Sequence, residues 1–323
     1  LSNLGLGLDY IFMAVAQTLP LLFLGRVIGG FTSASIATAN AYIADVTPPE
    51  KRAASFGMLG AAFGLGFVIG PAVGGLLGSI DARLPFWVAA GLSLTNFLYG
   101  LFVLPESLTV GRHHRFEWKR ANPIGALLWL KNHDKLLPLA SVHFLSSLAH
   151  YVLPSTFVLY TAYRYHWGPT EVGIALGLVG IASAIVQAGL TRRIVPRIGE
   201  RNALLTGLAF GAVGFVIYGL APTGYWMLAG IPVMAFWGLA GPAGQSMMTS
   251  HLESHEQGRL QGGLSSLMGV GGLIGPGLFT QTFAAFIEPQ HGAYLPGAPM
   301  LVAALLLVLA MIVAWRVTRP PSR

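Results

Sequence analysis

No cysteine occurs in the chain, which excludes disulfides and thiolate metal sites and leaves the redox compartment open. Charge is scarce too: only 10% of the 323 residues are charged, against roughly 25% in a soluble domain. The shortage is sharper for acids, with 12 Asp and Glu against 19 Lys and Arg. A net charge of +7 would raise nucleic acid as a partner only if the basic residues shared one soluble face. They lie scattered between apolar runs, so nucleic acid is excluded. No short apolar segment precedes a small-residue cleavage site of the signal-peptide kind. What fills the chain is apolar, at 54% of residues and a mean hydropathy of +0.65.

The apolar residues gather into runs long enough to cross a hydrocarbon core of about 30 Å at about 1.5 Å per residue. Ten spans are predicted, at 1–19, 21–45, 53–78, 84–104, 136–162, 169–190, 203–220, 225–250, 260–286 and 299–316. Sixteen of the 19 basic residues, from Lys51 to Arg323, fall in loops on one side, and only Arg83 and Arg164 fall on the other. By the positive-inside rule both termini are cytoplasmic. The long loop 105–135 divides an N-terminal bundle, 1–104, from a six-helix C-terminal bundle, 136–323. Its stretch GRHHRFEWKR reads either as a solvated linker or as a helix lying on an anionic leaflet.

Two segments match each other, GMLGAAFGLGFVIGPAVGG from Gly57 and GGLSSLMGVGGLIGPGL from Gly262. Both carry a Gly-Pro pair at the same offset, Gly70-Pro71 and Gly275-Pro276, so the chain is read as duplicated. Equivalent halves predict that roughly seventy residues, about two spans and a loop, precede Leu1. In the first copy Gly66, Gly70 and Gly74 stand four apart, where a missing Cβ lets a neighbouring helix approach. With Pro71 and Gly75 they predict a closely packed hinge or seal; simple helix packing is the alternative.

Ionisable groups inside spans are costly and therefore functional candidates. Asp9 and Arg26 qualify, brought to similar depth by a hairpin turning near Pro20. They either couple proton movement to substrate movement or form a static ion pair. Asp45 and Arg52, flanking a TPPEK stretch, predict a cytoplasmic gate or a solvated loop. His143 and His150, seven apart, are read as packing ahead of proton relay. His251, Glu253 and His255 have metal-like spacing but no third strong ligand nearby, so no metal is predicted. Asn40, Gln187 and Gln245, with Trp237, Phe236 and Tyr160, are candidates for a substrate cavity or for interhelical contacts.

These motifs resemble a known family. GFVIGPAVGG is similar to the antiporter motif of drug/proton exchangers in the major facilitator superfamily, and LFLGRVIGG resembles that superfamily's fourth-helix motif, with Arg26 as its arginine. LSNLGLGLDY, IADVTPPEKRAASFG, LPFWVAAGLS and GERNALLTG resemble the tetracycline-efflux branch. The resemblance implies an all-α membrane protein of the major-facilitator fold, with ten of twelve transmembrane helices present in two pseudo-symmetric bundles. It makes Asp9 the helix-three aspartate. Two positions depart from that branch: Ser183 stands where it carries a histidine, four residues before Gln187, and Gly211 stands near its helix-nine acid.

The expected function is secondary active transport, proton-coupled efflux of drugs or small amphipathic molecules by a monomer in a bacterial inner membrane. The proton gradient replaces any cofactor, and no catalytic constellation is present. The alternatives are an uptake carrier for sugars or organic acids, or an inactive membrane fragment.

Overall fold

The computed structural model describes residues 2–32, 35–105, 107, 125, 130, 136–250, 252–253, 256–287 and 294–319. Among them the regular structure is all helical, without a strand. The first part comprises α1 (Ser2–Val15), α2 (Leu19–Thr32), α3 (Ser35–Val46), α4 (Pro49–Ile80) and α5 (Leu84–Phe102). The second comprises α6 (Leu136–His150), α7 (Val152–Tyr165), α8 (Pro169–Ala184), a π-helical turn (Ile185–Leu190) and α9 (Thr191–Leu220). It continues with α10 (Gly224–Ala229), α11 (Ile231–Ala235), a 3-10 turn (Phe236–Leu239), α12 (Ala240–Thr249), α13 (Gln257–Ile287) and α14 (Ala298–Val317).

Local chemistry explains the boundaries. Pro49 opens α4, where its missing N–H is no loss, and Glu50 follows in the first turn, facing the positive end of the helix dipole. Asp81 ends that helix and accepts the Arg83 backbone N–H at 2.7 Å, turning the chain into α5. At the start of α8 the Glu171 carboxylate reaches back to the Gly168 N–H at 2.8 Å. Gly199 (φ 80°) breaks α9 into a basic first part and an apolar second part, a backbone state glycine adopts without strain.

Six helical stretches among the described residues are long and apolar enough to cross a membrane, and the 51-residue stretch Thr170–Leu220 exceeds what one crossing of about 20 residues needs. Large apolar side chains such as Leu19, Phe23, Leu92, Phe102 and Leu273 are exposed on the outside. Water does not favour that surface, but lipid tails do. The chain is therefore a multi-pass membrane protein. The expected second span is described as α2 and α3; positions 33 and 34 between them lie outside the described residues, as does nearly all of the 105–135 loop, GRHHRFEWKR included.

Packing follows two groups of helices. In the first, α1 lies against α2 and α5, and α4 against α5. In the second, α9 packs on α14 and α12, and α6 on α14 and α13, around a core that includes Leu208, Phe215, Leu260, Phe279 and Leu307. The groups meet where α4 lies against α8, the π turn and α12, and where α3 meets α13.

Candidate functional site

Asp9 and Arg26 come together. Asp9 is 4% exposed on α1, and Arg26 of α2 donates from Nη2 to its Oδ2 at 3.2 Å, while the guanidinium side chain itself stays 55% exposed. The short turn between α1 and α2 makes the antiparallel hairpin that sets both residues at one depth. Asp9 Oδ1 is buried with no partner among the described residues. A carboxylate with one paired and one bare oxygen in a low-dielectric setting is a strained place for a full charge.

Two glycines make that placement possible, and neither stood out in the sequence. A methyl group at Gly29 would lie 2.6 Å from Asp9 Oδ2, and one at Gly25 would lie 2.8 Å from the Phe12 ring. The Asp9 carboxylate thus rests directly on the α2 backbone. Their signal was the spacing of Gly25 and Gly29 around Arg26, four residues apart on the α2 face that meets α1.

The glycine stripe on α4 needs correcting. Gly66 and Gly70 are exposed, and a Cβ at Gly66, Gly70 or Gly74 would meet nothing within 4 Å among the described residues. Among those residues the expected close approach does not occur on that face. It occurs instead at Gly57, Gly60 and Gly64, on a different side of the same helix. A Cβ at Gly57 would lie 2.8 Å from the Gln187 carbonyl oxygen, one at Gly60 would overlap the Gln187 amide, and one at Gly64 would lie 3.3 Å from the Gly180 carbonyl oxygen. The physical reason is helical phase: positions 57, 60 and 64 turn toward α8 and the π turn that follows it, and 66, 70 and 74 turn away. Pro71 and Gly75 lie in α4, but their surroundings fall outside the described part. In the second copy the repeated glycines do pack closely, Gly271 and Gly275 against Tyr151, whose Cβ would lie 2.6 Å from a methyl group at Gly275.

Gln187 occupies the π turn, half-buried, between Gly60 of α4 and Gly238, where a Cβ would lie 3.0 Å from its Cγ. It therefore touches both helix groups. π turns are rare and recur at functional positions. Gln245, on α12, is 8% exposed with its Nε2 unpartnered among the described residues. Trp237, in the 3-10 turn, donates from Nε1 to Ser146 Oγ at 3.2 Å and stacks obliquely on His150, with centroids 5.7 Å apart. Asn40 is half-buried on α3. Tyr160 is not a cavity wall: it is buried, with its hydroxyl donating to the Tyr218 carbonyl at 2.8 Å.

The departures at Ser183 and Gly211 have different settings. Ser183 is half-buried on α8, facing Gly64 of α4. At Gly211 a Cβ would lie 2.7 Å from Trp237 Cγ and 2.8 Å from Leu307 Cδ1, so an acidic side chain has no room there. Asp45 accepts from the Ser107 hydroxyl at 3.1 Å, and Arg52 donates from Nε to the Thr47 carbonyl at 3.2 Å. His143 has a buried Nε2 without a partner among the described residues. His251 and His255 lie outside them, so the spacing with Glu253 is not placed.

Comparison with known proteins agrees with this architecture. The family model described as Major Facilitator Superfamily matches residues 1–241 and, a second time, 139–323. The class C tetracycline resistance protein of Escherichia coli is 35% identical over 305 residues, 94% of this chain and 77% of that protein. The class G protein of Vibrio anguillarum is 35% identical over 294 residues, covering 90% and 74% respectively. Among solved structures, the human organic anion transporter MFSD10 (TETRAN) superposes with a TM-score of 0.85 at 21% identity, over 97% of this chain and 75% of that one. The fucose transporter FucP in its outward conformation superposes with a TM-score of 0.73 at 14% identity, over 99% and 82%. With its all-helical membrane architecture, its twofold match to the family model and relatives aligned along nearly its whole length, this chain belongs to the Major Facilitator Superfamily.

Proposed function

We propose that the chain is a proton-coupled exporter of drugs or small amphipathic molecules, acting as a monomer in a bacterial inner membrane with both termini in the cytoplasm. The observation that carries this reading is the 35% identity with tetracycline resistance proteins over 94% of the chain. The buried Asp9–Arg26 pair supports it at the level of chemistry. The partners are a small-molecule substrate, the proton and the bilayer; no reaction is catalysed and the proton gradient is the energy source.

In this reading protonation of Asp9 removes a half-satisfied buried charge and releases Arg26, changing the relative stability of two access states. Substrate binding between the helix groups biases them the other way. Asp45 and Arg52, at the cytoplasmic junction of α3 and α4, act as the gate. The α4 segment bearing Gly66, Gly70, Pro71, Gly74 and Gly75 serves as a hinge, its open face giving the helix room to move. The cavity is lined by Asn40, Gln187, Gln245 and Trp237.

Proteoliposomes holding the full chain test the reading. A pH gradient of the sign that drives export should concentrate labelled tetracycline or ethidium, and a protonophore should abolish the accumulation. Absence of gradient-dependent movement of every drug tried, or uncoupler-sensitive movement in the uptake sense, would overturn it.

A further inference from the structure

Helices α9 and α14 pack side by side, and each turns a second face away from the core. On α14 Leu305, Leu309 and Ile312 are exposed at steps of four and three residues, and the same stripe continues through exposed Arg316 to exposed Arg319. On α9 Val213, Val216 and Leu220 are exposed at steps of three and four. From Leu305 to Trp315 is about 15 Å at helical rise, roughly the hydrocarbon depth of one leaflet.

The ends of the two helices are tied together. Arg201, just past the break at Gly199, donates from Nε to Thr318 Oγ1 at 3.1 Å, and the Thr318 hydroxyl donates to the Ala314 carbonyl at 2.7 Å. Trp315 is 46% exposed, and the Arg319 guanidinium lies over its ring, with Cζ 3.5 Å from the centroid. The stack fixes the cation beside the ring, and tryptophan at the end of a span favours the headgroup level.

Charge is what this end has in excess. Among the described residues no carboxylate pairs with Arg201, Arg316 or Arg319, and Arg201 bonds only through Nε. The neighbouring acid, Glu200, is engaged elsewhere: it accepts a hydrogen bond from the hydroxyl of buried Ser246 on α12. The arginines thus stand at the end of an apolar stripe with no described counter-charge. A soluble acid would meet the arginines but leave the stripe bare. A zwitterionic lipid would cover the stripe but bring its own cation. An anionic phospholipid satisfies both, because its phosphate accepts forked hydrogen bonds from guanidinium groups while its tails meet the apolar residues.

We propose that Arg201, Trp315, Arg316 and Arg319, at the shared end of α9 and α14, form a binding site for the phosphate of an anionic phospholipid whose acyl chains lie along the apolar stripes. Arg316 and Arg319 contact the phosphate, Trp315 holds Arg319 at the interface, and the Arg201–Thr318 bond keeps the two helix ends together. The site lies on the lipid-facing outside of the second helix group, and the proposal does not depend on the export reading.

The full chain, purified in dodecyl maltoside, is titrated with dioleoyl phosphatidylglycerol and separately with dioleoyl phosphatidylcholine, and the lipids retained per chain are counted by native mass spectrometry. Phosphatidylglycerol should bind saturably and about tenfold more tightly than phosphatidylcholine. Arg316→Gln and Arg319→Gln should each weaken it about fivefold, equivalent to about 1 kcal/mol, and the double variant about twenty-five-fold. Both side chains are exposed, so these variants keep the fold. Trp315→Leu, which removes the ring under Arg319, should weaken it about threefold. Arg193→Gln, which removes an exposed arginine on the other side of the Gly199 break, should leave it unchanged. Equal binding of the two lipids, absence of saturable binding, or a loss with Arg193→Gln as large as with Arg319→Gln would overturn the site. So would soluble glycerol phosphate binding as tightly as the lipid, or a soluble glutamate-rich peptide displacing it. None of these outcomes bears on the export reading, which transport assays decide separately.

Discussion

At the residue scale, Asp9 owes its position to glycine. Its Oδ2 lies where a Gly29 side chain would be, so Gly29→Ala should push the carboxylate off Arg26 and cut gradient-driven transport at least tenfold. Gly30→Ala, where a Cβ would meet nothing within 4 Å among the described residues, should not. Uptake into energised inside-out vesicles, normalised to protein level, distinguishes the two. The ion pair itself was readable in the sequence because Asp9 and Arg26 were isolated charges within apolar spans and a short hairpin set their depth. The glycines were not, since a glycine in a membrane helix serves as hinge, packing face or bystander, and only the neighbouring helix decides. Gly211 makes the same point: the resemblance leads one to expect an acid near it, yet Trp237 and Leu307 fill the space that an acid would need.

At the element scale, hydropathy placed some helices to within a few residues, 84–104 against Leu84–Phe102 and 299–316 against Ala298–Val317, while six stretches among the described residues, not ten, are long and apolar enough to cross a membrane. It did not reveal the irregular turns. IVQAGL at the π turn and FWGL at the 3-10 turn carry no proline and a single glycine each, Gly189 and Gly238, which is common in these helices and did not mark them out from the glycines that sit in regular helix. The phase of α4 was hidden for a similar reason. Glycines on two faces offer two possible contacts, and the structure uses Gly57, Gly60 and Gly64. Gly60→Ala should therefore disturb the contact between α4 and Gln187 of the π turn, lowering the midpoint of thermal unfolding in detergent. Gly66→Ala and Gly70→Ala should leave that midpoint unchanged or raise it, since Ala exceeds Gly in helix propensity by about 1 kcal/mol. If those two also act as a hinge, transport falls while the midpoint holds. In the second repeat, Gly275→Val should cost about 1–3 kcal/mol by overpacking against Tyr151, read from unfolding in mixed micelles.

At the scale of the whole molecule, the two helix groups meet mainly through α4 against α8 and α12 and through α3 against α13. Motion between access states must rework those contacts. The proposed orientation rests on the charge asymmetry, and the lack of any cysteine in the chain makes it directly measurable. Glu50→Cys should react with an impermeant maleimide only from the cytoplasmic side, and Ala82→Cys only from the outside. The reverse labelling would invert the topology and the sense of transport with it.

The most direct measurement is gradient-driven drug accumulation by Asp9→Asn in proteoliposomes, set beside gradient-free exchange of the same drug across the same membrane. If Asp9 carries the coupling proton, accumulation falls at least tenfold while exchange continues, because the substrate path is intact and only the link to the proton is cut. Full gradient-driven accumulation by Asp9→Asn would contradict the account.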